Sequence, residues 1–166
     1  MAISYSCGHQ AAEQLSFEQA LARLNESDGW MKTVVKRVGN IRPLNKGDKV
    51  LYIGSAQSRF LICLNKMGYK AVGVKPWPQA REVAKKLAEH EGAEIEVHDG
   101  VGEKLPLPET EFDAVLISSV LEHVDDPQAV FNESYRVLKP GGGRWFSTAS
   151  SVCPRQSERW RFPFLG

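Results

Sequence analysis

The fold is decided by residues 49–60, whose sequence is KVLYIGSAQSRF. Residues 50–53 are apolar on both alternating faces, which predicts a strand buried between two layers. Gly54 permits a sharp turn, and apolar residues then follow at helical spacing from Phe60 onward. Such a junction of strand, turn and helix directs free backbone N–H groups and the positive end of the helix toward a ligand above the sheet. A nucleotide is therefore expected at this turn.

The remainder of the chain repeats the alternation of strand and helix. Further strands are predicted at residues 71–74, 95–97, 112–118 and 145–148. Asp126 followed by Pro127 predicts a helix start, and Gly92 predicts a helix end. Lys139–Gly143 is expected to stop the last helix before the fifth strand. Strands that alternate with helices imply right-handed crossovers, so the sequence predicts an α/β fold with a mostly parallel sheet of about five strands.

Two helices are predicted before this core. Ser16 and Gln19 have the spacing of a capping box, which indicates a helix that begins directly after the serine. A second helix is predicted to bury an apolar stripe made of Met31, Val34, Val35 and Val38. A polar connection over residues 40–48, with one proline and one glycine, then leads into the first strand.

Several segments of the chain together resemble one enzyme family. The turn at residues 49–60 is similar to motif I of the Rossmann-like, class I S-adenosylmethionine-dependent methyltransferases, small-molecule type 11 subgroup. The similarity continues from Leu44 to Ser150 and includes AVGVKP at 71–76, LPLP at 105–108, EFDAV at 111–115, VLEHV at 120–124 and RVLKPGG at 136–142. The resemblance implies a three-layer Rossmann-like sandwich and methyl transfer from S-adenosylmethionine to a small-molecule acceptor.

The resemblance also implies a division of the chain. We expect an N-terminal helical cap at 1–43, a Rossmann-like core at 44–150 and an aromatic C-terminal tail at 151–166. In the resembled family, N-terminal helices of this kind cover the cofactor cleft; the alternative is that they only cover one face of the sheet. The family usually has seven strands, and the last two are missing from this prediction. The sheet would then end in an open edge, and an open edge pairs readily with another chain. We therefore expect a homodimer through this edge and the C-terminal tail.

The family's cofactor contacts can be carried over position by position. The resemblance implies cofactor-binding roles for Gly54, Ser55, Ala56, Lys75, Asp99 and Ser118. The methionine end would lie at the glycine turn and the ribose near Lys75. The adenine would lie near Asp99, whose carboxylate would accept a hydrogen bond from its amino group.

Four positions depart from the family pattern. Tyr52 stands where the family has an acidic residue in the first strand, and Ala56 and Ser58 stand where it has its second and third glycines. Lys75 stands where it has a carboxylate that accepts hydrogen bonds from the ribose, a role that an ammonium group lacks the acceptors to fill. A lysine at this position is also typical of sites for a 2′-phosphate, as in NADPH, or of an ordinary solvated surface. The departures leave open a second function, a disabled domain that acts as an interaction module.

One acid and imidazole pair, Glu122 and His123, follows the fourth strand. In the resembled enzymes this segment borders the methyl acceptor, so His123 is the candidate general base for an acceptor hydroxyl. A histidine at such a position also commonly orients its loop through backbone hydrogen bonds. Asp113, at the start of the same strand, is expected to serve packing.

Composition narrows the function classes. The 166 residues are 42% hydrophobic and 25% charged with a formal net charge of +1, which is typical of a soluble protein of one domain. Neither nucleic acid nor a membrane is indicated, since there is no basic excess and no apolar run of roughly 20 residues. The three cysteines are widely spaced, so no disulfide framework and no metal site is predicted. A cytoplasmic location is expected.

Overall fold

Five parallel strands form the centre of the structure. The structure is a computed structural model, and it describes residues 16–24, 28–41, 43–54, 59–118, 120–121 and 123–147. The strands are β1 (Lys49–Ile53), β2 (Lys70–Val74), β3 (Ile95–His98), β4 (Phe112–Ser118) and β5 (Leu138–Ser147). They form one sheet in the order β3-β2-β1-β4-β5, and every neighbouring pair is parallel. The expected α/β architecture is confirmed, with a sheet that is wholly rather than mostly parallel.

Helices lie on both faces of this sheet and complete the three layers. They are α1 (Phe17–Ala22), α2 (Asp28–Ile41), α3 (Arg59–Lys66), α4 (Pro78–Glu91) and α5 (Pro127–Val137). One face, which includes Leu51 and Val115, packs against Val130 and Val137 of α5. The opposite face packs against α2 and α3. The core therefore lies on both sides of the sheet, as expected for strands that are apolar on both faces.

The predicted helix ends are confirmed in detail. The Ser16 hydroxyl oxygen accepts a hydrogen bond from the Gln19 N–H at 3.3 Å, and the Gln19 side chain accepts one from the Ser16 N–H at 2.8 Å. Asp126 caps α5 by accepting from the Ala129 N–H at 3.0 Å. Gly92 ends α4 with a φ of 61°, a conformation that glycine adopts without a steric cost.

The second helix covers a sheet face. Met31, Val34, Val35 and Val38 are all buried, and they pack in the cluster that contains Val50 of β1. Of the two roles expected for the N-terminal helices, α2 has the packing role. The division of the chain into cap, core and tail remains a prediction, and residues 151–166 lie outside the part of the chain that the structure describes.

The last strand begins earlier than predicted. Leu138 already pairs with Phe112, and the next paired residue on this strand is Gly143, opposite Ala114. The intervening residues form an irregularity opposite Asp113, where Gly141 has a φ of 73°. The segment predicted only as a helix stop therefore also belongs to β5. A local pattern does not predict this pairing, because the partner lies 26 residues away in the sequence.

None of the helices that the structure describes is long and apolar enough to span a bilayer. The cytoplasmic location remains a prediction.

Candidate functional site

The turn after β1 leaves no room for a side chain. Gly54 has a φ of 80°, and a Cβ built on it would lie 1.8 Å from Val120 Cγ2 and 3.1 Å from the Ser118 carbonyl oxygen. Both the backbone conformation and the close approach of the segment after β4 therefore require glycine. Ser55, Ala56 and Ser58 lie outside the described residues, so the cofactor contacts expected at the first two remain predictions.

Strand register brings four of the expected site residues to one edge of the sheet. Ile53 pairs with both Val74 and Ile117, and Val74 pairs with His98. Gly54, Lys75 and Asp99 each directly follow a strand, and Ser118 is the last residue of β4. All four therefore lie at the carboxyl edge of the parallel sheet, where ligands bind in open α/β folds. Their roles in binding remain predictions.

Lys75 is buried, with 2% of its surface exposed. Its backbone N–H donates to the His98 carbonyl oxygen at 3.0 Å, which continues the pairing of β2 with β3 by one residue. Burial disfavours the charged form and lowers the pKa of the Lys75 amine to about 7. The interpretation of Lys75 as a solvated surface lysine is therefore wrong. With this pKa, the amine is only partly charged at neutral pH.

Asp99 is held by a residue that the sequence analysis did not identify. Arg81 Nη1 donates to Asp99 Oδ1 at 2.8 Å and to the carbonyl oxygen of Lys75 at 2.8 Å. The Asp99 side chain remains 70% exposed, so its carboxylate keeps access to a ligand. A signal existed in the sequence, because Arg81 lies in the first turn of α4, where the helix dipole disfavours a cation. An arginine at this position therefore suggests a nearby acceptor, and the structure shows two, the Lys75 carbonyl oxygen and the Asp99 carboxylate.

Tyr52 is a core residue rather than a substitute for the family's acidic group. It is 1% exposed and its ring lies 5.5 Å from that of Phe60. Burial raises the pKa of its hydroxyl well above the usual range, although a hydrogen bond with the side chain of Ser118 opposes this shift. Tyr52 therefore links β1 to the end of β4, next to the Gly54 turn.

His123 is exposed on the loop after β4. Its backbone N–H donates to the Val120 carbonyl oxygen at 2.8 Å, which makes a turn beside the residue that contacts the Gly54 position. Glu122 lies outside the described residues, so the predicted pairing of acid and imidazole is untested. Asp113, at the opposite edge, accepts from the Lys49 N–H at 3.0 Å and from Lys139 Nζ at 2.8 Å, contacts that join the start of β4 to β1 and β5.

A groove of about 600 Å³ lies at the opposite, amino-terminal edge of the sheet. Its charged lining residues are Lys49, Lys70, Lys85, Glu89, Glu94 and Glu96. The three lysines and three glutamates balance, so the groove has no excess charge to attract an ionic ligand, and we do not assign the site to it. Within the described ranges, no group of three His, Cys, Asp or Glu side chains could hold a metal ion.

Comparison with known proteins identifies a family and the fold. The model of a family described as methyltransferase domain matches residues 51–146, more than half of the chain. The ubiquinone biosynthesis O-methyltransferase of Klebsiella pneumoniae (strain 342) is 28% identical over 163 residues, which cover 93% of this chain and 66% of that protein. The protein of the same name from Salmonella newport (strain SL254) is 31% identical over 121 residues, which cover 72% of this chain and 48% of that one.

Solved structures agree on the fold. The YcgJ protein of Bacillus subtilis matches with a TM-score of 0.62 and 25% identity, covering 70% of this chain and 48% of that chain. This chain therefore spans only about half to two thirds of the lengths of these relatives. None of these matches supports the alternative of a disabled interaction module.

Proposed function

This chain belongs to the methyltransferase domain family, and we propose that it transfers a methyl group from S-adenosylmethionine to a hydroxyl group of a small-molecule acceptor. The observation that supports this most directly is Gly54, since the backbone there approaches the end of β4 so closely that a Cβ would meet Val120 at 1.8 Å. This turn lies at the carboxyl edge of the sheet, next to Ser118 at the end of β4, and Asp99 follows β3, two strands away at the same edge. The names of the relatives, O-methyltransferases, favour oxygen as the accepting atom.

The residues at this edge suit a nucleoside cofactor. Gly54, with Ser55 and Ala56, would hold the methionine end, and Ser118 would line the same space from β4. Asp99 would accept from the adenine amino group, because its carboxylate is largely exposed while Arg81 fixes its direction. When bound, S-adenosylmethionine supplies an electrophilic methyl group, and the protein contributes chiefly by aligning the acceptor oxygen with it.

His123 is the proposed base for the acceptor. An acceptor hydroxyl must lose its proton as the new bond forms, and an exposed imidazole on the loop after β4 can take that proton. The turn made by its N–H with Val120 keeps this loop next to the Gly54 position.

We propose self-association through β5 as a further property. Within the described residues β5 pairs with β4 alone, and the ring of Phe146 is 42% exposed on this outermost strand. A second copy that pairs along this edge would cover the exposed ring of Phe146. Sedimentation velocity at increasing concentration tests this: association that Phe146→Lys weakens supports the interface, and a monomer at every concentration contradicts it.

Calorimetric titration tests the proposed function. S-adenosylmethionine and its demethylated product, S-adenosylhomocysteine, should each bind with a Kd in the micromolar range, about −8 kcal/mol, while NADPH should not bind. Gly39→Ala, in α2 and away from the site, is the matched control for Gly54→Ala, which should lose binding. If the folded protein gives no heat with either sulfur compound, the proposal is wrong.

A positive titration is followed by an acceptor screen. Methyl-labelled S-adenosylmethionine is incubated with a panel of phenols and catechols, and transfer of label to oxygen is measured. His123→Gln should lower the rate with little effect on cofactor affinity, because a general base contributes to the chemical step rather than to cofactor binding.

A further inference from the structure

We propose that Glu133 and Arg136 of α5 are positioning residues for the methyl-donor site, because they fix the shape of the 99–105 segment, which begins at the carboxyl edge of the sheet. The inference rests on the proposed function, since it concerns a nucleoside that binds at this edge. Both residues lie near the C-terminal end of α5, which leads into β5 and so lies towards the amino-terminal edge. They would therefore act on the cofactor only through the segment.

The connection between β3 and β4, residues 99–111, is described throughout and contains no helix. Its buried Leu105 and Leu107 pack in the same cluster as Val72 and Val115, on the sheet face that α5 covers. Parallel strands are usually joined through a helix, whose backbone groups bond to one another. A connection without a helix needs other partners for its backbone groups, and α5 supplies some of them.

Glu133 and Arg136 bind the backbone of this connection. Glu133 Oε2 accepts from the Leu105 N–H at 2.8 Å. Arg136 donates through Nη2 to the Leu105 carbonyl oxygen at 3.2 Å and through Nη1 to the Leu107 carbonyl oxygen at 2.9 Å. Leu105 is therefore held at both its N–H and its carbonyl oxygen.

The two side chains also hold each other. Arg136 donates to the Glu133 carboxylate at 2.7 Å through Nε and at 2.8 Å through Nη2. The hydrogen bond with Arg136 lowers the pKa of Glu133, so this carboxylate stays ionised near neutral pH. Each group thus keeps the other in the orientation that the backbone of Leu105 requires.

The 99–105 segment is held at both ends. Asp99, at its start, is bound by Arg81 of α4 at 2.8 Å, and Leu105, at its end, is bound by the pair on α5. A short segment with two fixed ends has few conformations open to it.

The middle of the segment lies against the ends of two strands. A Cβ on Gly100 would lie 3.1 Å from Val74 Cγ1, and one on Gly102 would lie 3.2 Å from Ile53 Cγ2. Val74 and Ile53 are the last residues of β2 and β1. The segment therefore passes beside the Gly54 turn, and its shape sets one side of the proposed cofactor site.

Release of Leu105 should weaken binding without removing any contact made by the pair to the cofactor. The apparent affinity of a ligand falls in proportion to the fraction of molecules that have the binding-competent shape. If the segment keeps its shape in about a tenth of the molecules, the Kd rises about tenfold.

Calorimetric titration with S-adenosylhomocysteine tests the inference. Arg136→Met should raise the Kd about tenfold. Arg136→Lys keeps the charge, but one ammonium nitrogen cannot replace three separate guanidinium donors, so the Kd should rise about threefold. Lys139→Met is the matched control, because it removes a 2.8 Å ion pair with Asp113 at the opposite edge of the sheet. It should leave the Kd within about twofold of the wild-type value.

Hydrogen exchange in the ligand-free protein gives a second readout. The amides of Lys104 and Leu105 should exchange about tenfold faster in Arg136→Lys than in the wild-type protein, while the amides of β4 keep their rates. Faster exchange in β4 to the same extent would mean that the whole fold is loosened, and would overturn the inference.

The outcomes separate this inference from the proposed function. Equal affinity of the wild-type protein and both Arg136 variants overturns the inference and leaves the methyl-donor function in place. A loss of affinity in Lys139→Met as large as in Arg136→Met also overturns it, because general destabilisation would then explain both. If Arg136→Met does not fold, the comparison of Arg136→Lys with Lys139→Met decides. Absence of binding by the folded wild-type protein overturns the proposed function and the inference together.

Discussion

Arg81 binds Asp99 through one guanidinium nitrogen, Nη1, at 2.8 Å, and the same nitrogen donates to the carbonyl oxygen of Lys75 at 2.8 Å. A side chain of α4 thereby joins the ends of β2 and β3. These strand ends are two of the places that the proposed cofactor would contact, so Arg81 is a positioning residue for the site rather than a ligand of the cofactor.

Arg81→Met should lower the free energy of unfolding by about 1 kcal/mol, since it removes a charge-assisted hydrogen bond and leaves a carbonyl oxygen without its donor. Urea unfolding measures this change. Lys86→Met is the matched control on the same helix, because Lys86 lies 3.7 Å from Glu82 in an exposed pair and should change stability by less than about 0.5 kcal/mol. Equal effects of the two substitutions would contradict a special role for Arg81.

Gly54→Ala should destabilise the protein by about 2 kcal/mol or more, because alanine is strained at a φ of 80° and its Cβ would meet Val120. Thermal and urea unfolding measure this loss. Adding Val120→Ala to this variant should recover only the part of the lost stability that comes from the overlap with the Val120 side chain. Gly39→Ala, where nothing lies within 4 Å of the added Cβ, should instead stabilise α2 by about 0.5 kcal/mol. A fully stable Gly54→Ala protein would show that the turn differs from the one described.

Tyr52→Phe and Ser118→Ala should each cost about 1 kcal/mol, and the double variant should cost less than their sum. The reason is that the two side chains share one hydrogen bond, in a place where Tyr52 is 1% exposed. A double-mutant cycle by urea unfolding measures the coupling, with Tyr135→Phe on the surface as the control. Tyr52→Asp should be more destabilising than Tyr52→Phe, because it buries a carboxylate among apolar groups of α2 and α3. Strict additivity would contradict the shared bond.

Lys75→Met should stabilise the protein by about 2 kcal/mol or more at neutral pH, since each pKa unit corresponds to about 1.4 kcal/mol. The unfolded chain has the ordinary lysine pKa of 10.5, and the folded protein has one of about 7. Between these values the unfolded chain binds more protons, so wild-type stability rises with pH through this window. The advantage of the variant should therefore be full at and below about pH 7 and should disappear as pH approaches 10.5.

Urea unfolding across this pH range measures the effect of Lys75, and Lys70→Met on the exposed end of the same strand should show no such dependence. An advantage that stays constant with pH would mean that better packing, rather than removal of a buried charge, causes it.

Most of the fold could be predicted because its signals are local. Met31, Val34, Val35 and Val38 repeat at helical spacing, and all four are buried. Residues 112–118 are nearly continuous in apolar character, and all seven are buried in β4. The start of β5 at Leu138 was missed because its partner, Phe112, is distant in sequence.

The candidate site could be predicted in its place but not in its chemistry. Gly54 and Asp99 were expected at the carboxyl edge, and register brings both there. The burial of Lys75, the hydrogen bond of Tyr52 with Ser118 and the role of Arg81 were not expected. Each depends on two or three elements that meet only after folding.

The sequence by itself determined the succession of strands and helices along the chain, because hydrophobic periodicity is a property of short segments. It also determined the parallel sheet and the edge at which a ligand is expected, because strand–helix–strand units have right-handed crossovers. Only the tertiary structure decided that Lys75 is buried with a lowered pKa, and that Arg81 holds Asp99. The physical reason is that the pKa of an amine depends on how far the groups around it exclude water. These groups come from several elements that meet only in the folded protein.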